Sequence, residues 1–122
     1  MKHRILIVDD SRLIRRSLRL WIDGSLHWEV CGEAENGKEA VERVEELRPD
    51  IVILDFQMPV MNGLEAALRI RDVAPRTAML MFTMHASSEL VKTALEAGVA
   101  DVVSKSDRLS DHLSSALRQI IA

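Results

Sequence analysis

The chain has 122 residues, of which 48% are hydrophobic and 29% charged, and its formal net charge is −3. This balance is typical of one globular domain, and the small negative charge gives no general attraction to nucleic acid or to an anionic membrane. Its single cysteine, Cys31, excludes an intrachain disulfide, and no apolar stretch is long enough for a membrane span. Since no signal peptide is evident, we expect a cytoplasmic protein with one domain over residues 1–122.

Short runs rich in β-branched residues alternate along the chain with longer amphipathic segments. In chain order, this pattern predicts strand 4–8, helix 11–23, strand 28–34, helix 38–48, strand 51–54, helix 64–74, strand 78–82, helix 87–97, strand 101–104 and helix 109–121. The first helix has apolar residues at helical spacing, namely Leu13, Ile14, Leu18, Trp21 and Ile22. Pro49 and Pro75 end the second and third helices, and Gly98 caps the fourth.

Apolar strands separated by helices indicate a parallel sheet with helices on both faces. Right-handed crossovers then place the carboxyl ends of all the strands at the same edge of the sheet, where ligands bind in folds of this kind. The predicted fold class is therefore α/β, with a five-stranded, doubly wound parallel sheet.

Reactive side chains follow every strand except the second. Asp9 and Asp10 follow the first strand, Asp55 the third, Thr83 the fourth and Lys105 the fifth. Three carboxylates at one edge repel one another, and a hard divalent cation such as Mg²⁺ would offset that repulsion with oxygen ligands. The charges of the three acids, Lys105 and one Mg²⁺ cancel, so the site could accept a phosphoryl group.

The placement of these residues suggests a role for each. A carboxylate can form an aspartyl phosphate, and Asp55, in the middle of the edge, is the predicted acceptor. Lys105 and the Thr83 hydroxyl would bind phosphoryl oxygens. The predicted metal ligands are Asp9, Asp10, Asp55 and the backbone carbonyl of Gln57.

Four segments in order, ILIVDDS, IVILDFQMPVMNGLE, MFTMHAS and AGVADVVSKSD, resemble the receiver domain of bacterial response regulators. The resemblance extends over the whole chain and implies a flavodoxin-like (βα)5 fold with strand order 2-1-3-4-5. It implies that a histidine kinase or a phosphotransfer protein supplies a phosphoryl group to Asp55 with Mg²⁺, or with Mn²⁺ as a substitute. Thr83 is then the switch hydroxyl and Lys105 the phosphate-binding lysine, and the domain catalyses only its own phosphorylation and dephosphorylation.

The resemblance also implies what the switch controls. The face formed by helix 87–97, strand 101–104 and helix 109–121 would change on phosphorylation and bind a partner or a second copy of the chain. The forms FTMH and KSD resemble regulators with a helix-turn-helix output domain, so we expect a transcriptional output and DNA contact only through such a domain, which residues 1–122 lack. The chain departs from the family at Val102, where an aromatic residue is usual, and at Ser106, where proline is frequent.

Other functions fit some of the same residues. A phosphohydrolase of the haloacid dehalogenase kind also uses an aspartate nucleophile and Mg²⁺, but it needs a second acid where this chain has Gln57. A receiver that serves only as an interaction surface is another alternative, and Asp9 and Asp10 could simply cap the first helix. Nucleotide binding is disfavoured because the chain has no G-x-G-x-x-G or G-K-[ST] loop.

Three further features have two interpretations each. One face of the first helix carries Arg12, Arg15, Arg16 and Arg19. It is either a solvated polar face or a docking surface for the phosphodonor. His85 either tunes the lifetime of the phosphate or is an exposed loop residue. Cys31 is expected to be a buried thiol, because it lies within a strand.

Overall fold

The computed structural model describes residues 1–84, 86–106 and 112–121, so His85 and residues 109–111 of the predicted last helix lie outside the described part of the chain. The elements in chain order are β1 (His3–Val8), α1 (Arg12–Asp23), β2 (Trp28–Ala34), α2 (Gly37–Leu47), β3 (Ile51–Leu54), α3 (Gly63–Val73), β4 (Ala78–Thr83), α4 (Ser88–Glu96), β5 (Asp101–Ser104) and α5 (Ser114–Ile121). Most predicted boundaries differ from these by at most one residue.

The strands form a single parallel sheet with the order β2-β1-β3-β4-β5. This confirms the predicted flavodoxin-like α/β fold. The chain leaves β1 toward β2 on one side and returns to place β3 on the other, so the switch point lies between β1 and β3. Ligands bind at that point in doubly wound sheets. Among the described helices, none is long and apolar enough to cross a bilayer.

Alternate residues of each strand enter different cores on the two faces of the sheet. In β1, Leu6 and Val8 pack with Ile70 of α3 in one core, which α2, α3 and α4 cover. Ile5 and Ile7 pack with Leu18 in the other core, which α1 and α5 cover. Because both faces are covered, the strands are apolar along their whole length.

Side chains of four residues determine where the first four helices begin. The N-caps Ser11, Asn36, Asn62 and Ser87 each accept a hydrogen bond from the backbone N–H three residues later. At the other end of α4, Gly98 has a φ of +99°, the left-handed conformation that glycine favours after a helix. The structure thus places Ser11, and not Asp9 or Asp10, at the cap of α1.

Two predicted positions are wrong in detail. Leu13 is 76% exposed, because it lies about 140° around the helix from Leu18, which faces the core. Cys31 is only half-buried, since β2 is an edge strand, although this burial still raises the pKa of its thiol.

Candidate functional site

The structure brings three carboxylates together at the switch point of the sheet. One oxygen from each of Asp9, Asp10 and Asp55 lies within 4.8 Å of the others. Val8 pairs with Leu54 at the ends of β1 and β3, so the residues that follow emerge level with each other. Asp9 and Asp55 are 2% and 7% exposed, whereas Asp10 is open to solvent.

Lys105 joins two of these acids. Its Nζ donates to Asp9 Oδ2 at 2.6 Å and to Asp55 Oδ2 at 3.0 Å, and its side chain is only 7% exposed. The backbone N–H of Lys105 donates to the Thr83 carbonyl at 2.8 Å, which continues the pairing of β4 with β5 up to the site. The ammonium group therefore compensates the buried carboxylate that follows β3.

Burial and pairing act in opposite directions on the titration of this pair. Burial raises the pKa of Asp9, and the hydrogen bonds from Lys105 and from the Ser11 N–H reduce that rise without cancelling it. For Lys105, burial lowers the pKa, but the hydrogen bonds to Asp9 and Asp55 outweigh it and raise the pKa overall. Lys105 therefore stays protonated, while Asp9 would gain from a further cation that stabilises its charged form.

The loop after β3 holds the Asp55 carboxylate. Its Oδ1 accepts from the Phe56 N–H at 2.7 Å, and the Asp55 N–H donates to the Val8 carbonyl at 3.0 Å. Gly63 N–H returns to the Phe56 carbonyl at 2.7 Å, and a Cβ at Gly63 would collide with the Asp55 carbonyl oxygen. Glycine at this position therefore allows α3 to begin directly against Asp55.

Thr83 and Gln57 occupy neighbouring positions at the same edge. Thr83 is the last residue of β4 and is 3% exposed, and β4 pairs directly with β3. Gln57 is exposed in the loop that follows Asp55. The phosphate contact of Thr83 and the metal contact of the Gln57 carbonyl stay predictions.

The two departures from the family pattern have local consequences. Val102 pairs with Met81 of β4 and packs, partly buried, against the core under α2, α3 and α4. The N–H of Ser106 donates to Ser104 Oγ at 3.2 Å, a bond that a proline at this position could not make. The chain thus has a small side chain, Val102, where an aromatic ring is usual. Beside Lys105 it has a serine turn at Ser106 where a proline is frequent.

The sequence pattern did not reveal the importance of Glu33, next to the end of β2. Its two carboxylate oxygens accept from Arg15 Nε at 3.0 Å and from Arg19 Nε at 2.7 Å. Arg15 also donates through Nη1 to the Asp9 carbonyl at 2.7 Å. The second strand therefore does contribute a charged group near the site. The signal was a carboxylate at a strand end combined with arginines four residues apart on a helix.

These contacts also divide the arginine face of α1. Arg15 and Arg19 are engaged with Glu33, whereas Arg12 and Arg16 are exposed. The outward-facing pair is the part of this face that remains available to a docking partner. A charge reversal at Arg15 would break its bonds to Glu33 and to the Asp9 carbonyl, so the exposed Arg12 and Arg16 are the positions at which to test docking.

Known proteins resemble this chain along most of its length. A sequence profile of the response regulator receiver domain matches residues 5–117. The chemotaxis protein CheY of Thermotoga maritima is 40% identical over 105 residues, which cover 86% of this chain and 87% of CheY. A protein-glutamate methylesterase/protein-glutamine glutaminase of Pyrococcus abyssi is 39% identical over 123 residues, 99% of this chain but only 33% of the relative.

Structural similarity extends over the whole domain. A two-component response regulator of the LuxR family from Aurantimonas sp. SI85-9A1 superposes with a TM-score of 0.92 and 31% identity, and the match covers 99% of this chain and 86% of that one. The fold, the acidic cluster at the switch point and the sequence match over residues 5–117 agree with one another. The chain therefore belongs to the response regulator receiver domain family of two-component signalling.

Proposed function

We propose that this domain accepts a phosphoryl group on Asp55 from a histidine kinase or a phosphotransfer protein, with Mg²⁺ as cofactor. The observation that carries this proposal is the Lys105 ammonium group bonded to both Asp9 and Asp55 inside a cluster of three carboxylates. A buried lysine that neutralises the acceptor in the resting protein is also placed to bind the oxygens of an incoming phosphoryl group.

The donor set suits a hard divalent cation. The cluster offers only oxygen atoms, and these oxygens are close enough to bind one ion. Asp9, Asp10, Asp55 and the Gln57 carbonyl would hold Mg²⁺, and Mn²⁺ could replace it. When bound, the ion neutralises charge on the acids and on the phosphoryl oxygens.

In the transfer, a carboxylate oxygen of Asp55 forms a bond to phosphorus as the phosphorus–nitrogen bond of the donor phosphohistidine breaks. The leaving imidazole keeps the electron pair of that bond and takes up a proton from water. The hydrogen bond from the Phe56 N–H holds the carboxylate in one orientation, so little reorganisation is needed before attack. Lys105 and Thr83 would then pair with phosphoryl oxygens, and attack by water on phosphorus would later restore Asp55.

Phosphorylation would change the relative populations of the conformations of the face formed by α4, β5 and α5. Replacing one carboxylate charge by a phosphoryl group would draw Lys105 and Thr83 toward the phosphoryl oxygens, and the bond from Lys105 N–H to the Thr83 carbonyl couples the two residues. Leu95 of α4 is 49% exposed and Met84, in the segment before α4, is 56% exposed, which supports a partner surface or a homodimer surface.

The output of the switch is a separate question. The chain spans about a third of the length of the Pyrococcus abyssi methylesterase that it matches and most of the length of CheY. The likeness to a LuxR-family regulator, at 31% sequence identity, supports the expected transcriptional output. The Pyrococcus abyssi methylesterase is 39% identical, so sequence identity does not favour one output over the other. Transcription therefore stays a prediction, as do the cytoplasmic location and a single-domain arrangement.

The alternative functions gain less support. A phosphohydrolase of the haloacid dehalogenase kind would need an acid where the exposed Gln57 stands. A receiver that serves only for interaction would not need a buried lysine on its acceptor. Rapid turnover of small phosphate esters by the purified protein would favour the phosphohydrolase over the receiver function.

The proposal is tested by incubating the protein with acetyl phosphate and Mg²⁺ and measuring its intact mass. We expect a single phosphoryl group on the native protein and none on Asp55→Asn. Asp72→Asn, which changes an exposed aspartate of α3, is the matched control and should be labelled like the native protein. Labelling of folded Asp55→Asn, or the absence of labelling in the native protein with any phosphodonor, would contradict the proposal.

A further inference from the structure

Arg15 connects the metal-binding segment to the second strand. Its guanidinium group donates through Nη1 to the Asp9 carbonyl at 2.7 Å and through Nε to Glu33 at 3.0 Å. The side chain is 14% exposed, so these hydrogen bonds are largely shielded from water. The guanidinium group is planar and donates in fixed directions. Bonded to two acceptors at once, it is well suited to hold a backbone carbonyl in one place.

A second arginine, Arg19, keeps this arrangement rigid by bonding the same carboxylate. Arg19 Nε donates to the second carboxylate oxygen of Glu33 at 2.7 Å, so both oxygens are occupied. Burial opposes ionisation of Glu33, but the hydrogen bonds from Arg19 and Arg15 outweigh it and lower its pKa. Glu33 therefore remains an anion at neutral pH and continues to orient Arg15.

The segment that Arg15 holds is the one from which two of the acids project. Asp9 N–H donates to the Ala34 carbonyl at 3.1 Å, and Asp9 Oδ1 accepts from the Ser11 N–H at 2.9 Å. These bonds fix the amide before Asp9 and one carboxylate oxygen, and Arg15 fixes the carbonyl that joins Asp9 to Asp10. The direction of that peptide group determines where the Asp10 carboxylate begins.

We propose that Arg15 is a positioning residue for the cation site, acting through the Asp9 carbonyl while Glu33 holds it in place. This inference rests on the proposed function, because it assumes that Asp9 and Asp10 bind Mg²⁺. It is independent of docking, since Arg15 faces Glu33 and Asp9 instead of the solvent.

The sign of the effect separates positioning from charge. Arg15 is a cation close to the cluster, so its removal should strengthen Mg²⁺ binding if charge alone mattered. If Arg15 acts by position, its removal should weaken Mg²⁺ binding although one positive charge has been lost. Loss of outer-shell partners of metal ligands costs about tenfold or more in affinity, which exceeds the screened charge effect.

The experiment measures the Kd for Mg²⁺ by amide chemical shifts in Arg15→Met, with thermal unfolding as a check on folding. We expect about tenfold weaker binding than in the native protein. Arg15→Lys, which keeps the charge and can reach one acceptor, should recover part of the affinity. Arg16→Met removes an exposed charge one residue away and should leave the Kd within about twofold of native.

Native or tighter Mg²⁺ affinity in folded Arg15→Met would overturn the inference. If that variant does not fold, Arg15→Gln gives the same test, because its neutral side chain is too short to reach both acceptors. The two proposals fail differently. A native protein that binds no Mg²⁺ and takes no phosphoryl group removes the proposed function and this inference with it. If the native protein binds Mg²⁺ and a folded Arg15→Met variant binds it equally well, only the inference about Arg15 fails.

Discussion

At the scale of single residues, two glycines allow the chain to pack closely around Asp55. A Cβ at Gly63 would collide with the Asp55 carbonyl, and one at Gly37 with the Met61 carbonyl in the same loop. In the loop between β3 and α3, Val60 has a φ of 70°, which is an unfavourable conformation for a β-branched residue. The loop therefore follows a path that these contacts impose, and the Asp55 carboxylate is held beside Lys105 as a result.

Replacing Gly63 by alanine should destabilise the protein by about 1–3 kcal/mol, because the atoms in conflict belong to backbone that can move little. Labelling of Asp55 by acetyl phosphate should also slow down. Gly24→Ala is the control: its nearest neighbours would lie 3.6 Å or more from the new Cβ. Urea unfolding measures both variants, and equal stabilities would show that the close approach at Gly63 is unimportant.

Strands and helices are tied together at the element scale by arginines that reach helix ends. Arg4 at the start of β1 donates through Nη1 to the carbonyls of Leu47 and Arg48 at 2.8 and 3.0 Å, the last turn of α2. Arg71 of α3 does the same for the Glu96 carbonyl of α4, at 3.3 Å. Carbonyl groups at the end of a helix have no partner within it, so these contacts replace water and fix the helix against its neighbour.

Arg4→Met should therefore lower the free energy of unfolding by about 1.5 kcal/mol, since it removes charged hydrogen bonds while keeping most of the apolar volume. The matched control is Arg43→Met on α2. The ion pairs of Arg43 with Glu39 and Glu46 are exposed, so its loss should cost less than about 0.5 kcal/mol. Denaturant titrations that find equal losses for both variants would contradict capping by Arg4.

The whole molecule combines a well-covered sheet with an edge where like charges are crowded. Both faces of the sheet lie under helices, and within the described residues the Lys105 ammonium group is the one cation paired with the acids at the switch point. The free energy gained by burying the two apolar cores offsets the repulsion among the carboxylates at this edge. Stability should therefore depend on cation binding.

Magnesium at 100 times its Kd should raise the free energy of unfolding by about 2.7 kcal/mol, because it binds the folded state alone. Asp10→Asn should be more stable than the native protein without Mg²⁺, since it relieves repulsion, and should gain less from the ion. NaCl at equal ionic strength is the control in the unfolding titration. An equal gain from NaCl would show that the effect is general screening instead of a bound ion.

The sequence predicted most of the fold and the members of the acidic site. Period-two and helical patterns are local, and a parallel sheet necessarily brings residues such as Asp9, Asp55 and Lys105 to one edge. It did not predict that Leu13 faces solvent or that Cys31 is half-buried, because apolar spacing does not show how far a helix or an edge strand is covered.

By itself, the sequence determined five strands, five helices, their order along the chain and the residues at each strand end, because these follow from local propensity and one rule of handedness. Only the tertiary structure decided that Arg15 joins Glu33 to the Asp9 carbonyl. The pairing of β1 with β2 is also irregular between Ile5 and Leu6, which shifts the end of β2 by one residue and places Glu33 beside Ile7. Register of this kind results from packing between distant segments, and no local pattern encodes it.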